Sequence, residues 1–289
     1  MATSTFPRPS SDNPTHEPLE DPWPADAGRA RVALPPDAEP LSLTAEDGVR
    51  LAGAHYEGSG RDVAMVLAHG FGGAHDQARV DRIARRWARR HGVVSVTMRG
   101  HGRSEGRTTL AHHEPMDVEA ATAWARGAGY ARVVTVGFSM GAAVVLRHAA
   151  LRPASEGFAG TDAVAAVSGP AFWFYRGTPP MRWLHRGVES RMGRLYLRTV
   201  LGADVDPQRW PVPPPMPPTA AAQRARDLGT QMLIVHGDAD AFFPLEHPHA
   251  LHAAAPGSRL WIEPGFGHAE GAISAELVDR LADWAADPR

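Results

Sequence analysis

The stretch RVVTVGFSMGAAVVLRHAALRP, residues 132–153, joins a valine-rich run to a helical run through one serine. Residues 133–136 have the composition of a strand that is buried on both faces of a parallel sheet. Residues 142–151 have the length and composition of a packed helix that ends before a proline. The pattern therefore predicts a strand, a tight turn that carries Ser139, and a helix.

Two glycines flank this serine in the sequence Gly137-Phe138-Ser139-Met140-Gly141. Glycines have no side chain, so they let the strand and the helix approach while the serine is held in a strained, exposed conformation. This is the G-x-S-x-G pattern of a nucleophile elbow. Gly-Ser-Gly clusters are also common in loops, but the strand before this one and the helix after it favour the elbow.

The rest of the chain alternates between strand and helix patterns. Residues 41–56 predict an antiparallel hairpin that turns at Asp47-Gly48. The sequence therefore predicts an α/β fold with an antiparallel start and a mostly parallel, doubly wound, eight-stranded sheet, in which ligands bind beyond the carboxyl ends of the strands. The buried-type strands after the hairpin are expected at residues 63–68, 93–98, 133–136, 163–167, 232–235 and 259–262.

Composition excludes several kinds of chemistry. The chain has no cysteine, so thiol nucleophiles, disulfides, cysteine-bound zinc and iron–sulfur clusters are excluded. It also has no lysine, which removes Schiff-base chemistry, a phosphate-loop lysine and a Ser-Lys dyad. The balance of 30 basic and 32 acidic residues gives no general attraction to nucleic acid. Serine activated by histidine is the covalent chemistry that this composition favours most.

The first residues, MATSTFPRPSSDNPTHEPLEDPWPA, are rich in Pro, Ser, Thr and acids. Such a composition buries too little apolar surface to offset chain entropy, so we expect residues 1–30 to form a disordered tail. The tail has no apolar core of a signal peptide, and no window of the chain approaches the roughly 20 apolar residues of a spanning helix. We therefore expect a cytoplasmic protein without stable membrane insertion.

A serine hydroxyl needs a base and a group that orients the base. Of the fifteen histidines, His69, His236 and His268 directly follow predicted strands. Asp240 lies in the loop after the strand at residues 232–235. The chain order Ser139, Asp240, His268 is one of the known orders for a catalytic triad.

Five motifs resemble those of the α/β-hydrolase superfamily, in the order in which the family has them. They are LAHGFGG for the oxyanion loop, MRGHGRSEG for the R-G-H-G-x-S turn, VGFSMGAA for the elbow, VHGDADAFFP for the acid loop and GFGHAE for the histidine loop. The resemblance runs from about Leu41 to the C-terminus and is greatest to lipases, esterases and monoacylglycerol-lipase or serine-aminopeptidase-like members. Thr97 and Ala142 depart from the family pattern, outside the triad.

The resemblance implies a role for each site residue. Ser139 would be the nucleophile, His268 the base, and Asp240 the acid that orients the base. The backbone N–H groups of Phe71 and Met140 would form the oxyanion hole. The resemblance implies no cofactor and no metal. We interpret His69 and His236 as structural residues beneath the site.

The alternation of strands and helices breaks between residues 171 and 222, where the family inserts its cap. We therefore predict a core at residues 31–170 and 223–289, with a cap or lid at residues 171–222. Five apolar residues at helical spacing predict one amphipathic helix, which is either a lid whose apolar side roofs the binding site or an ordinary amphipathic helix of the fold, and the two are not exclusive. The five residues are Met181, Leu184, Val188, Met192 and Leu195, and arginines occupy the other face.

These patterns indicate a serine hydrolase that cleaves a carboxylic ester or a related acyl compound, with a small-molecule acyl substrate as its partner. An acyltransferase, a carbon–carbon bond hydrolase on the same triad, and a non-enzymatic ligand-binding member of the fold remain alternatives. Oligomeric state is left open. His247, His249 and His252 have a spacing that could hold a metal, but we interpret them as solvated helix surface. The turn GHGRSEG resembles a dinucleotide loop only weakly, because its third glycine is one residue late.

Overall fold

The computed structural model describes residues 29–208 and 210–288, which contain an eight-stranded sheet covered by helices on both faces. The predicted disordered tail lies almost wholly outside these residues. The strands are β1 (Ala38–Thr44), β2 (Arg50–Tyr56), β3 (Val63–Ala68), β4 (Gly92–Val96), β5 (Arg132–Phe138), β6 (Ala163–Val167), β7 (Gln231–Gly237) and β8 (Arg259–Glu263). The helices are α1 (Ala78–Ala88), α2 (Pro115–Gly127), α3 (Met140–Leu151), α4 (Pro179–Glu189), α5 (Arg191–Leu201), α6 (Pro218–Asp227), α7 (Glu246–Ala254), α8 (Ala269–Ala272) and α9 (Ala275–Ala286).

The sheet has the order β1-β2-β4-β3-β5-β6-β7-β8. The β1–β2 hairpin is antiparallel and turns at Gly48, whose φ of +84° suits a residue without a side chain. β2 also pairs antiparallel with β4, whereas every pair from β4 to β8 is parallel. The predicted mostly parallel, doubly wound sheet with an antiparallel start is therefore confirmed.

Each face of the sheet carries its own apolar core. On one face, α1 and α9 pack side by side and bury Ile83, Trp87 and Leu281 against the strands. On the other face, α2, α3 and α6 cover the sheet, and α3 and α6 pack closely against each other. Because both faces are covered, the central strands are rich in valine and alanine and are buried along almost their whole length, as expected for parallel strands.

Two element boundaries differ from the predictions in an informative way. β4 ends at Val96 instead of residue 98, because the Met98 N–H donates to His69 Nε2 (3.0 Å) and leaves the strand ladder. α3 begins at Met140, two residues earlier than predicted, so the helix starts immediately after Ser139. The serine is therefore placed directly at a helix N-terminus.

The segment after β6 forms a helical hairpin of α4 and α5. The single amphipathic helix predicted here is wrong: the chain is extended at Ser190 (φ −103°, ψ 148°), and the Ser190 hydroxyl accepts a hydrogen bond from Gly193 N–H to cap α5. α6 crosses the predicted boundary at residue 222, and its Ala221, Ala222 and Ala225 are buried in the core. The limits of the cap remain a prediction.

Within the two described ranges, no helix is long and apolar enough to span a bilayer.

Candidate active site

Ser139 occupies the sharp turn between β5 and α3. Its backbone adopts φ +52° and ψ −113°, a region that L-residues rarely occupy, as the elbow pattern predicts. A Cβ atom at Gly141 would lie 2.2 Å from the Ala68 carbonyl oxygen, and one at Gly137 would lie 2.1 Å from the Gly141 carbonyl oxygen. Glycine is therefore required at both positions, because the strand and the helix touch there.

The loops after β5, β7 and β8 bring three predicted site residues together. The Ser139 hydroxyl lies 2.8 Å from His268 Nε2, and His268 Nδ1 lies 2.8 Å from Asp240 Oδ2. These three strands belong to the parallel part of the sheet, so their carboxyl ends share one edge. In the tautomer that fits both bonds, Nδ1–H donates to the carboxylate and Nε2 accepts from the hydroxyl.

Asp240 is held in place through its other oxygen. Oδ1 accepts hydrogen bonds from Phe242 N–H (2.7 Å) and Phe243 N–H (3.1 Å), and the side chain is fully buried. The Phe242 ring stacks on the His268 imidazole with a centroid distance of 4.2 Å. His236 holds the same loop in place, since its Nε2–H donates to the Phe243 carbonyl (2.8 Å). The base is therefore fixed by a carboxylate on one edge and an aromatic ring on one face.

Phe71 and Met140, the predicted oxyanion donors, line the same cavity as Ser139. Met140 is the first residue of α3, so its N–H has no partner inside the helix, and the helix dipole adds positive potential there. Within the described part of the chain, neither backbone N–H makes a hydrogen bond. Two backbone donors without a partner among the described residues thus belong to residues that line the cavity of the serine.

Glu270 is a residue of this site that sequence reasoning missed. Its side chain is buried, and Oε1 accepts a hydrogen bond from Gly70 N–H at 2.5 Å. Gly70 immediately precedes Phe71, so the carboxylate holds the glycine-rich loop against α8. The signal was present in GFGHAE, where Glu270 stands two residues after His268, but acids near a loop histidine are too common for spacing alone to assign it a partner.

The cavity above Ser139 has a volume of about 420 Å³. Its walls are largely aromatic and aliphatic, and many of them come from the segment between β6 and α6. Met181, Leu184 and Val188 of α4 line it, whereas Met192 and Leu195 of α5 are 75% and 53% exposed. The prediction that these residues roof the site is therefore wrong for Met192 and Leu195, which follow the break at Ser190, although Leu201 at the end of α5 does line the cavity.

The histidines beneath the site are buried and hydrogen-bonded to the backbone. His69 Nε2 accepts from Met98 N–H, and its Nδ1 lies 2.7 Å from the Gly70 carbonyl oxygen. Burial, and then repulsion by His101, hold the pKa of His69 well below its usual range. Burial also lowers the pKa of His236. Both are neutral supports for their loops, as their structural interpretation requires.

The interpretation of the α7 histidines, His247, His249 and His252, as solvated helix surface is wrong for His247. His247 is fully buried, and its Nδ1 accepts a hydrogen bond from Ala171 N–H (2.9 Å). His252 instead pairs with the Ser258 hydroxyl through Nδ1 (2.8 Å). In the described ranges, no group of three or more His, Asp or Glu side chains is arranged to hold a metal ion.

Comparisons with known proteins agree with this architecture. The model of the alpha/beta hydrolase family matches residues 65–283. Similar solved structures include an esterase from Pyrococcus furiosus, with 18% identity, 90% of this chain and 98% of that chain covered, and a TM-score of 0.65. An esterase from Rhodococcus sp. has 16% identity, coverage of 86% and 99%, and a TM-score of 0.64. A serine hydrolase without a lid from Xanthomonas campestris has 19% identity, coverage of 88% and 94%, and a TM-score of 0.56.

Proposed function

Because the chain belongs to the alpha/beta hydrolase family, we propose that it is a serine hydrolase that cleaves a carboxylic ester or a related acyl compound through an acyl-enzyme on Ser139. The observation that carries this proposal is the continuous chain of hydrogen bonds from Ser139 through His268 to Asp240 at an apolar cavity. The esterases among the similar structures support the same class of reaction.

Acylation would begin at the serine oxygen. As Ser139 Oγ forms a bond to the acyl carbon, its proton passes to His268 Nε2, and the carbonyl oxygen becomes an oxyanion. The N–H groups of Phe71 and Met140 would stabilise that charge. Asp240 remains ionised and stabilises the imidazolium. The bond to the leaving group then breaks, and the leaving oxygen takes the proton from His268 Nε2.

Deacylation would repeat these steps with water. His268 takes a proton from water as the water oxygen attacks the acyl carbon of the acyl-enzyme. The second tetrahedral intermediate breaks its bond to Ser139 Oγ, which recovers a proton from His268. The products are a carboxylic acid and an alcohol, and the enzyme returns to its starting state.

A fluorophosphonate probe tests the proposal directly, because it reacts with serines that have an activated hydroxyl. We expect labelling at Ser139, and we expect Ser139→Ala to lose both the label and the turnover of p-nitrophenyl butyrate. Ser258→Ala is the matched control, since that serine pairs with His252 away from the cavity. Robust labelling of the Ser139→Ala protein at another serine would overturn the assignment.

A further inference from the structure

Arg29 and Arg79 are two cations that line the cavity of Ser139. Across the described ranges, neither guanidinium has a carboxylate within 4 Å. Arg79 Nε is buried and has no hydrogen-bond partner there, and its Nη2 makes only a long contact of 3.4 Å with the Gly72 carbonyl. Most of the donor capacity of both side chains is therefore unused.

Both guanidinium groups lie at the same glycine. A Cβ atom at Gly72 would be 2.9 Å from Arg29 Nη1, and Arg79 Nη2 contacts the carbonyl of the same residue. Partial burial, and then repulsion by Arg79, lower the pKa of Arg29. Two like charges are thus held together beside the glycine-rich loop that carries Phe71, where an anion would relieve their repulsion.

Glu270 supplies one negative charge near this pair. Its carboxylate already accepts the Gly70 N–H, and its field raises the pKa of Arg29 without offsetting the other effects. A third guanidinium, that of Arg82, donates to the Glu270 backbone carbonyl (2.8 Å), so the guanidiniums near this carboxylate outnumber it. The same cavity has apolar walls that include Leu184 and Leu201. Arg29 is exposed and Arg79 is half-buried, so a ligand in the cavity can reach both cations.

We infer that Arg29 and Arg79 form a subsite for a carboxylate carried by the substrate, so that the enzyme prefers acyl compounds with one anionic end. A planar guanidinium matches a carboxylate in two parallel hydrogen bonds, and an anionic group would reduce the excess positive charge of the cluster. This inference rests on the proposed serine hydrolase function. It adds a substrate class to a cavity whose remaining walls suit an apolar chain.

The test compares two p-nitrophenyl esters with six-carbon acyl groups, the hydrogen adipate and the hexanoate. We expect Arg79→Gln to lower kcat/KM for the adipate about tenfold through KM, the size of a lost charge-assisted hydrogen bond. The hexanoate lacks the carboxylate, so the ratio of kcat/KM for the adipate to that for the hexanoate should fall in this variant. Arg29→Gln is the second variant and should act in the same direction. Arg191→Gln, an exposed arginine of α5 that does not line the cavity, is the control.

A second substrate pair locates the carboxylate. 4-Acetoxybenzoate carries its carboxylate on the leaving group instead of the acyl group, and its methyl ester is the neutral partner. An arginine effect confined to the adipate assigns the subsite to the acyl side, and one confined to 4-acetoxybenzoate assigns it to the leaving-group side. If the wild type hydrolyses the neutral esters and neither charged ester responds to either arginine variant, the inference is overturned while the proposed function stands.

Binding measured without turnover keeps the inference separate from catalysis. Calorimetry would follow the hydrogen adipate ester binding to Ser139→Ala and to Ser139→Ala combined with Arg79→Gln. We expect binding to weaken about tenfold in the double variant and the difference to shrink as NaCl is raised. Equal affinities, or a difference insensitive to salt, would overturn the subsite. Absence of ester turnover by the wild type, with this difference intact, would overturn only the proposed reaction.

Discussion

Asp240 uses its two carboxylate oxygens for different tasks. Oδ2 accepts from His268 Nδ1–H, and Oδ1 accepts from the backbone N–H groups of Phe242 and Phe243. The neighbouring Asp238 has only a structural contact of this kind, since its Oδ1 accepts from Gly265 N–H (2.7 Å). The two acids of this loop therefore differ in their contacts. Asp240 binds the His268 imidazole as well as loop backbone, whereas Asp238 binds loop backbone.

Substitution of each acid by its amide separates these roles. Asp240→Asn should lower kcat by a factor on the order of 10⁴ with the fold intact, because the amide favours the wrong imidazole tautomer and does not stabilise the imidazolium. Asp238→Asn should lower the free energy of unfolding by about 1 kcal/mol and should reduce kcat far less than Asp240→Asn does. Measurement of kcat and Tm for both variants decides the matter. A larger catalytic loss at Asp238 would place the triad acid two residues earlier.

Single residues also mark the limit of prediction from sequence. Ser139, Asp240 and His268 were identifiable because each follows a predicted strand end and lies in a motif with fixed spacing. Glu270 and Arg29 were not, because their partners are distant in sequence: Glu270 contacts Gly70, 200 positions away. Arg79 contacts Gly72 only seven positions away, but no motif marks an arginine on the first turn of a helix as a cavity residue. No local pattern encodes a contact that only the assembled sheet creates.

At the scale of elements, the elbow depends on the close approach of β3, β5 and α3. The strand and helix patterns on both sides of Ser139 were strong enough to predict this junction. The break between α4 and α5 was not predicted, because the apolar spacing continues through it, and only Ser190 with Gly193 three residues later marks a new helix start. Periodicity alone does not separate one long helix from two short ones.

Two glycine-to-alanine variants test how tight that junction is. Gly141→Ala should cost roughly 2–3 kcal/mol and most activity, because its Cβ would lie 2.2 Å from the Ala68 carbonyl and either the helix or the strand must move. Gly127→Ala, near the end of α2 with open space around it, should stabilise the protein by about 0.5–1 kcal/mol. Urea unfolding of both variants measures the contrast. Equal stability in the two variants would contradict this packing.

At the scale of the whole molecule, burial of neutral histidines is a recurrent feature. Burial is the main cause that lowers their pKa, so the folded state disfavours their protonation. In an unfolded chain a histidine has a pKa of about 6.5. The described histidines with a lowered pKa are His55, His69, His75, His91, His101, His112, His185, His236 and His247.

Stability should therefore fall as the solution is acidified below about pH 6.5. There the unfolded chain binds more protons than the folded one, so this contribution is present above pH 6.5 and is lost progressively as pH falls. His247, with its pKa lowered to about 4, should contribute across the whole window down to that value. Urea midpoints between pH 7.5 and 5 measure the slope, before most carboxylates titrate.

His247→Asn should reduce that slope, because asparagine does not take up the proton yet keeps an acceptor for the Ala171 N–H. The difference between the slope of the wild type and that of His247→Asn measures the contribution of His247 alone. A stability profile that stays flat from pH 7.5 to 5 would contradict the burial of neutral histidines as a group.

The hydrogen bond between Ser139 and His268 joins positions 129 residues apart. A ribosome adds about 5–20 residues per second, so on the order of ten seconds separates the synthesis of the serine from that of its base. During that interval the nascent chain carries a serine without general-base activation. β8 and the loop after it must be translated and docked before the proposed chemistry begins. The order of translation thus delays the proposed hydrolytic activity until all eight strands have been made.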